Sequence, residues 1–225
     1  GVQSTTGFGM SEIGRVTDGP AGTVIGNEVG FARAGYTLRL VDEHGADVPI
    51  GKPGELWVRP DEPLTVMSGY LNLPDTTSEM IQDGWVHTGD VLQKDETGRY
   101  YFVDRVKDAL RRRGENVSSF EVERVVNEHP AVLESAVVAA PSELTEDEIR
   151  AVIVLQPGQS VQPEDLTAFL VERLPYFMVP RYLEFVDAMP KTPTQKVQKQ
   201  QLRAAGLGPD AWDREAAGIR LRSGR

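Results

Sequence analysis

Apolar and polar residues alternate from position 36 to 41: Tyr36, Leu38 and Leu40 face one way, Thr37, Arg39 and Val41 the other. A period of two is that of a strand. Residues 54–59 predict a second short strand, with a turn between the two at Glu43-His44-Gly45. Residues 73–82, with Pro74-Asp75 near their start, predict a short helix. Val91-Leu92-Gln93 and Tyr100-Tyr101-Phe102-Val103 flank Asp95-Glu96-Thr97-Gly98 and predict a hairpin. Many short strands joined by turn residues suggest a small barrel or sandwich.

The pattern changes beyond residue 105. Ser118 and Glu121 stand at capping-box spacing, and Val122, Val125 and Val126 follow as one helical stripe that Pro130 stops. Residues 132–140 and 150–155 are β-branched apolar runs and predict strands. Pro163-Glu164-Asp165 opens a helix carrying Leu166, Phe169, Leu170 and Leu174. Residues 182–186 predict another strand and residues 196–205 a C-terminal helix, while residues 206–225 show little pattern and are expected to be loosely held. Alternating strands and helices suggest a small α/β domain. The expected division is residues 1–105 and 106–225.

Charge changes at the same place. Residues 1–105 hold 8 basic and 16 acidic residues, and residues 106–225 hold 16 and 18. A net charge of −10 argues against a broad nucleic-acid surface. No apolar run is long enough to span a bilayer. Cysteine is absent, which removes disulfides and thiol nucleophiles and points to a cytoplasmic location. The opening Gly1-Val2-Gln3-Ser4 is not a signal peptide and is read as a cut inside a longer protein.

Four stretches carry candidate chemistry. In Gly7-Phe8-Gly9-Met10-Ser11-Glu12, an aromatic face can stack on a purine, glycine admits a phosphate, and a carboxylate can hold Mg²⁺. Taken alone, this is a loop with a solvated Glu12. In Asp83-Gly84-Trp85-Val86-His87-Thr88-Gly89-Asp90, the Asp90 carboxylate could accept two ribose hydroxyls. The plainer reading is a tight turn whose Asp bonds its own backbone. His87 has no paired Ser or Cys and reads as structural. Five basic residues lie between Arg105 and Arg113, beside Gly114, Glu115 and Asn116. Such a run is ordinarily a solvated face, yet it suits a flexible, phosphate-bearing ligand. In residues 189–199, a Thr/Pro loop presents a lysine whose ammonium can neutralise charge at a phosphoryl centre, though taken alone the segment is an exposed basic loop.

In this order and spacing, the Trp-x-x-Thr-Gly-Asp, Asp-Arg-x-Lys-Asp and Pro-x-Thr-x-x-x-Lys elements resemble the signature of the adenylate-forming superfamily. The resemblance runs from Gly7 to Leu202, and residues 107–116 look most like acyl-CoA ligases near the carnitine/crotonobetaine-CoA ligases. It implies a mixed α+β fold: the β-barrel subdomain of a large adenylation domain, then a small mobile α/β C-terminal domain. It also implies roles. Phe8 would stack on adenine, with Gly9, Met10 and Ser11 beside the nucleotide, and Glu12 would bind Mg²⁺. Asp90 would hold the ribose, Arg105 would assist at ribose or phosphate, and Lys107 would be the hinge. Gly114, Glu115 and Asn116 would line the coenzyme A path, and Lys196 would be the adenylation lysine. Gln195 stands where such enzymes commonly have glycine, from which the loop is expected not to need positive φ. Lys199, three residues on, is expected to be replaceable at little cost.

The implied reaction joins a carboxylic acid to coenzyme A through an acyl-adenylate made from ATP, with AMP released, as in fatty acid metabolism. The family's phosphate-binding loop and most of its acyl pocket lie upstream of Gly7, so this chain alone is expected to be inactive. The alternatives are an adenylation domain that loads an amino acid onto a carrier protein, and a non-catalytic module that binds a nucleotide or a partner.

Overall fold

Short strands joined by glycine turns make up the first half of the chain in the computed structural model, which describes residues 4–22, 26–112, 114–140 and 147–221. Residues 1–3 of the opening, Arg113 of the basic run and residues 222–225 of the tail lie outside the described residues. The chain divides into two compact units, residues 1–107 and 108–225.

The first unit opens with a small hairpin of β1 (Gly9–Met10) and β2 (Gly14–Arg15). It continues through β3 (Thr17–Asp18), β4 (Glu28–Ala32), β5 (Tyr36–Val41) and β6 (Pro53–Pro60). After α1 (Pro74–Met80) come β7 (Ile81–Gln82), β8 (Trp85–Lys94) and β9 (Arg99–Arg105). The strands order as β3-β4-β9-β8-β6-β5, antiparallel at every pairing, with β7 also on β8. They form one curled sheet around Ile13, Val16, Leu56, Val58, Val86, Leu92 and Tyr100.

Two expectations for this unit change. The helix expected over residues 73–82 stops at Met80, because Ile81 and Gln82 pair with Val86 and Trp85 across the Asp83-Gly84 turn. Asp90 does not sit in a turn. Residues 85–94 are one strand in which Val86, Thr88, Asp90 and Leu92 face inward. Gly89 takes a φ of 69° within it, beside irregular registers on both neighbouring strands. An unbroken polar-apolar period was hidden here because two of the inward residues, Thr88 and Asp90, are polar.

The second unit begins with a hairpin of β10 (Leu110–Arg112) and β11 (Glu115–Val117). Next come α2 (Ser119–Asn127), β12 (Val132–Ala140), β13 (Glu148–Leu155) and α3 (Pro163–Val171). The last elements are β14 (Tyr182–Phe185), α4 (Lys199–Ala205) and β15 (Trp212–Asp213). Ser118 caps α2 by accepting the Glu121 amide at 3.1 Å. The strands order as β12-β13-β14-β15, with β13 and β14 parallel around the α3 crossover. Alternate residues of β12 and β13 point to opposite faces. Val137, Ile149, Ala151 and Ile153 meet α2 and α3 through Val122, Val126, Leu166 and Leu170. Ala136, Val138, Val152 and Val154 meet Met189 and Leu202 of α4. Burial on both faces explains why these two strands read as unbroken apolar runs.

Two further expectations are corrected here. The last helix begins at Lys199 rather than Lys196, since residues 191–197 form a turn closed by a Lys191–Val197 bridge. The tail is not loosely held. Trp212 and Asp213 extend the sheet beside Leu183 and Tyr182, and Arg214 is fully buried, donating to Pro180 O. Arg181 holds Asp213 at 2.9 Å. A tail anchored by two arginines carries no hydrophobic period, so its order could not be seen in the pattern.

Candidate functional site

Gly7–Glu12 enters the first unit through the β1–β2 hairpin. Phe8 donates its amide to Thr17 Oγ1 and is only 9% exposed, so its ring belongs to the core. A Cβ on Gly9 would stand 2.5 Å from Gly14 O. The close approach that requires this glycine is therefore made by the hairpin's own backbone. Met10 is half-buried against the same core, and Ser11 is exposed in the turn. Glu12 is half-buried, and its Oε1 accepts the Tyr70 hydroxyl at 2.7 Å. Burial, then the bond to Glu12, raises the Tyr70 pKa above the ordinary phenol value, which keeps the hydroxyl a donor. Sequence reasoning missed Tyr70, which lies far along the chain from Glu12 and in no motif.

Asp90 on β8 stands directly across from Arg105 on β9. Its carboxylate is buried, and Oδ1 lies 3.2 Å from Arg105 Nε. Burial raises the Asp90 pKa, Arg105 pulls it back, and Asp104 and Glu55 push it up again. Arg105 is thus the charge that opposes the effect of burial on this carboxylate. Backbone bonds brace the pair: Glu55 Oε1 accepts the Gly89 amide at 3.0 Å, and Gly89 O accepts the Val106 amide at 2.9 Å. The Asp90 carboxylate pairs with a neighbouring strand, while its amide donates to Thr88 Oγ1 at 3.1 Å. His87 stacks on Trp57 with ring centroids 4.0 Å apart, a packing role. Lys107 follows in an exposed turn and is the last residue of the first unit.

In the second unit, Gly114 takes a φ of 79° at the tip of the β10–β11 hairpin, and Glu115 and Asn116 are exposed on β11. The basic run is not one solvated face. Arg111 is exposed, but Arg112 is 2% exposed and donates to Phe177 O and Val179 O, with Glu148 Oε2 2.8 Å away. Alternation along β10 sends neighbouring arginines to opposite sides.

Lys196 is exposed at the end of the turn, and its side chain makes no hydrogen bond or ion pair with the described residues. The backbone beneath it is held tightly. Thr192 donates its amide to Lys196 O at 2.8 Å and accepts the Lys196 amide on its hydroxyl at 3.1 Å. Gln195 has a φ of 66°, which overturns the expectation that this loop avoids positive φ. Gln195 is caught between two bonds, its own amide to Thr192 O and the Thr192 amide to Lys196 O, which together require the left-handed conformation, and an unbranched side chain tolerates it at a cost. Lys199 is not the free residue expected. Its ammonium donates to Ser119 Oγ at 2.7 Å and pairs with Glu123 Oε1 at 2.7 Å. Among the described residues, no group of three or more His, Cys, Asp or Glu stands close enough to hold a metal, and no helix is long and apolar enough to cross a membrane.

Residues 121–196 match the family model for the AMP-binding enzyme C-terminal domain. The chain is 37% identical over 210 residues to a fatty acid–[acyl-carrier-protein] ligase of Streptomyces coeruleorubidus, covering 91% of this chain and 40% of that protein. It is 33% identical over 205 residues to the crotonobetaine/carnitine–CoA ligase of Proteus mirabilis, covering 90% and 40%. Among solved structures, ATP-bound MatB from Rhodopseudomonas palustris superposes with a TM-score of 0.78 at 31% identity, over 89% of this chain and 40% of that one. The chain therefore spans about 40% of the length of the curated relatives it matches.

Proposed function

We propose, from the chain's membership of the adenylate-forming superfamily as a C-terminal portion, that it belongs to an ATP-dependent acyl-CoA ligase. In the first half-reaction a carboxylate oxygen attacks the α-phosphorus of ATP, pyrophosphate leaves, and an acyl-adenylate forms. In the second, the coenzyme A sulfur attacks the acyl carbon, the thiol proton is lost, and AMP leaves. The observation that carries this reading is Lys196, an exposed ammonium with no partner among the described residues, on a braced turn three residues before a helix. Such a charge is free to meet the α-phosphate and the carboxylate together as negative charge shifts onto the leaving group.

The remaining roles follow the same reading. Asp90, paired with Arg105, accepts the ribose hydroxyls. Phe8 stacks against adenine, with Gly9, Met10 and Ser11 alongside. Glu12 fits Mg²⁺ as a single carboxylate, a common arrangement when substrate phosphates supply the other oxygens, and the ion would neutralise phosphate charge. Gly114, Glu115 and Asn116 line the path of the coenzyme A arm, and Lys107 is the hinge between residues 1–105 and residues 106–225. The 225 residues span about 40% of the length of the relatives they match, and on this reading they do not run the reaction by themselves. The protein works in the cytoplasm, in fatty acid metabolism.

A carrier-protein acceptor is the second reading, favoured by the 37% identity to a ligase of that acceptor class. In the full-length protein, pyrophosphate release with ATP and a fatty acid tests the first half-reaction. Thioester formation with coenzyme A, against formation with a phosphopantetheinylated carrier protein, separates the acceptors. No acid-dependent pyrophosphate release across acids of short, medium and long chain would refute both.

A further inference from the structure

Lys199 is the first residue of α4, and its side chain is 15% exposed. Three side chains from two parts of the second unit converge on it. Ser119 Oγ and Glu123 Oε1 of α2 each lie 2.7 Å from Nζ, and Asp108 Oδ2, at the start of the unit, lies 3.9 Å away. Each carboxylate has a further tie. Asp108 Oδ1 meets Arg203 Nη1 of α4 at 2.7 Å, and Glu123 Oε1 accepts the Val137 amide of β12 at 2.6 Å. The turn that carries Lys196 lies between this junction and a second anchor, Lys191, whose ammonium meets Glu134 Oε2 of β12 at 2.8 Å. Gln198, between Lys196 and Lys199, donates its amide to Pro190 O at 2.8 Å and its side-chain amide to Lys191 O at 2.9 Å.

We infer that Lys199 is a positioning residue for Lys196, an inference that rests on the function proposed above. A neutral side chain at 199 leaves Glu123 and Asp108 half-buried without their shared cation. The start of α4 then moves off α2, and with it the downstream end of the Lys196 turn. Lys196 cannot compensate through contacts of its own, because its side chain makes none with the described residues. Arginine at 199 keeps the charge and can reach both carboxylates.

The test uses the full-length protein and measures pyrophosphate release and thioester formation from a synthetic acyl-adenylate separately. Lys199→Met is expected to lower kcat for pyrophosphate release by roughly a hundredfold, the scale for misplacing a group by about 1 Å, with KM changed less than about threefold. Transfer from the acyl-adenylate to the acceptor is expected to hold, and Lys199→Arg to restore most of the lost rate. Should Lys199→Met not fold, Asp108→Asn weakens the longest leg, together with the Arg203 pair, and is expected to lower the same half-reaction alone. Equal loss in both half-reactions, no rescue by arginine, or an unchanged adenylation rate in a folded Lys199→Met overturns the inference, as does an unchanged rate in Asp108→Asn when Lys199→Met cannot be obtained folded. Lys196→Ala run alongside separates the two claims. If it leaves pyrophosphate release intact, the role of Lys196 is wrong and the positioning role falls with it. If it splits the half-reactions and the Lys199 and Asp108 variants do not, only the positioning role fails.

Discussion

Replacing Arg112 by methionine should unfold the second unit at a markedly lower temperature. The guanidinium is 2% exposed and serves three groups: Phe177 O at 3.2 Å, Val179 O at 2.9 Å and Glu148 Oε2 at 2.8 Å. Methionine keeps most of the volume and none of the charge. Glu148 is then left nearly buried, with Arg181 Nη1 at 3.8 Å as its remaining cation among these partners. Breaking one side of a buried pair typically costs about 3–5 kcal/mol. At about 4 °C per kcal/mol for a domain of this size, the midpoint should fall by roughly 12–20 °C. The matching double variant, Arg112→Met with Glu148→Gln, removes the stranded charge and should recover at least about 1–2 kcal/mol of the loss. Thermal melts of the 225-residue chain measure the total, and hydrogen exchange at Ile149, Ala151 and Ile153 reads the second unit alone. A single variant melting within about 4 °C of the parent chain would refute the reasoning, given the scale, and so would a double variant no more stable than the single.

Lys196→Ala in the full-length protein should slow adenylation about a hundredfold, the effect of removing one preorganised donor of about 3 kcal/mol, while leaving the melting temperature unchanged. A comparable loss in transfer from a synthetic acyl-adenylate would make Lys196 structural. Gln195→Gly should raise the stability of the second unit by about 0.5–1 kcal/mol in denaturant melts, because glycine takes a φ of 66° without steric cost and that relief outweighs its greater unfolded-state entropy. A less stable variant would count against strain there. Asp95 supplies a pH test in the first unit. Its carboxylate accepts from Thr97, the Arg99 amide and Tyr101, and its pKa is lowered from 3.8 to about 2, with the Thr97 bond the largest cause. A depressed folded pKa gives stability that is complete above 3.8 and is lost as pH falls toward about 2. The stability difference between the parent chain and Asp95→Asn should therefore be largest near neutral pH and shrink across that window; a pH-independent difference would assign the effect to the turn backbone.

Local pattern was enough for elements whose stability comes from their own period. The alternation in β5, the Ser118 cap and valine stripe of α2, and the doubly buried runs of β12 and β13 all declare themselves within a few residues. The order of the chemical motifs likewise made the superfamily recognisable from residues alone. What only the tertiary structure decided is where charge is buried. Asp90 reads as a turn residue until the strand that carries it is paired with Arg105. Arg112 reads as one of a solvated run until Val179, 67 positions away, supplies an acceptor. Lys199 reads as an exposed helix residue until Ser119, 80 positions away, and Glu123 close around it. Arg214 and Arg181 order a tail that has no hydrophobic period. The physical reason is common to all of them. Periodicity reports which face of an element meets apolar surface. A buried ion pair depends on partners distant in sequence, whose proximity exists only once the sheet and helices have packed. Gln195 belongs with them: its left-handed backbone is set by a closed turn, and nothing in a glutamine announces it.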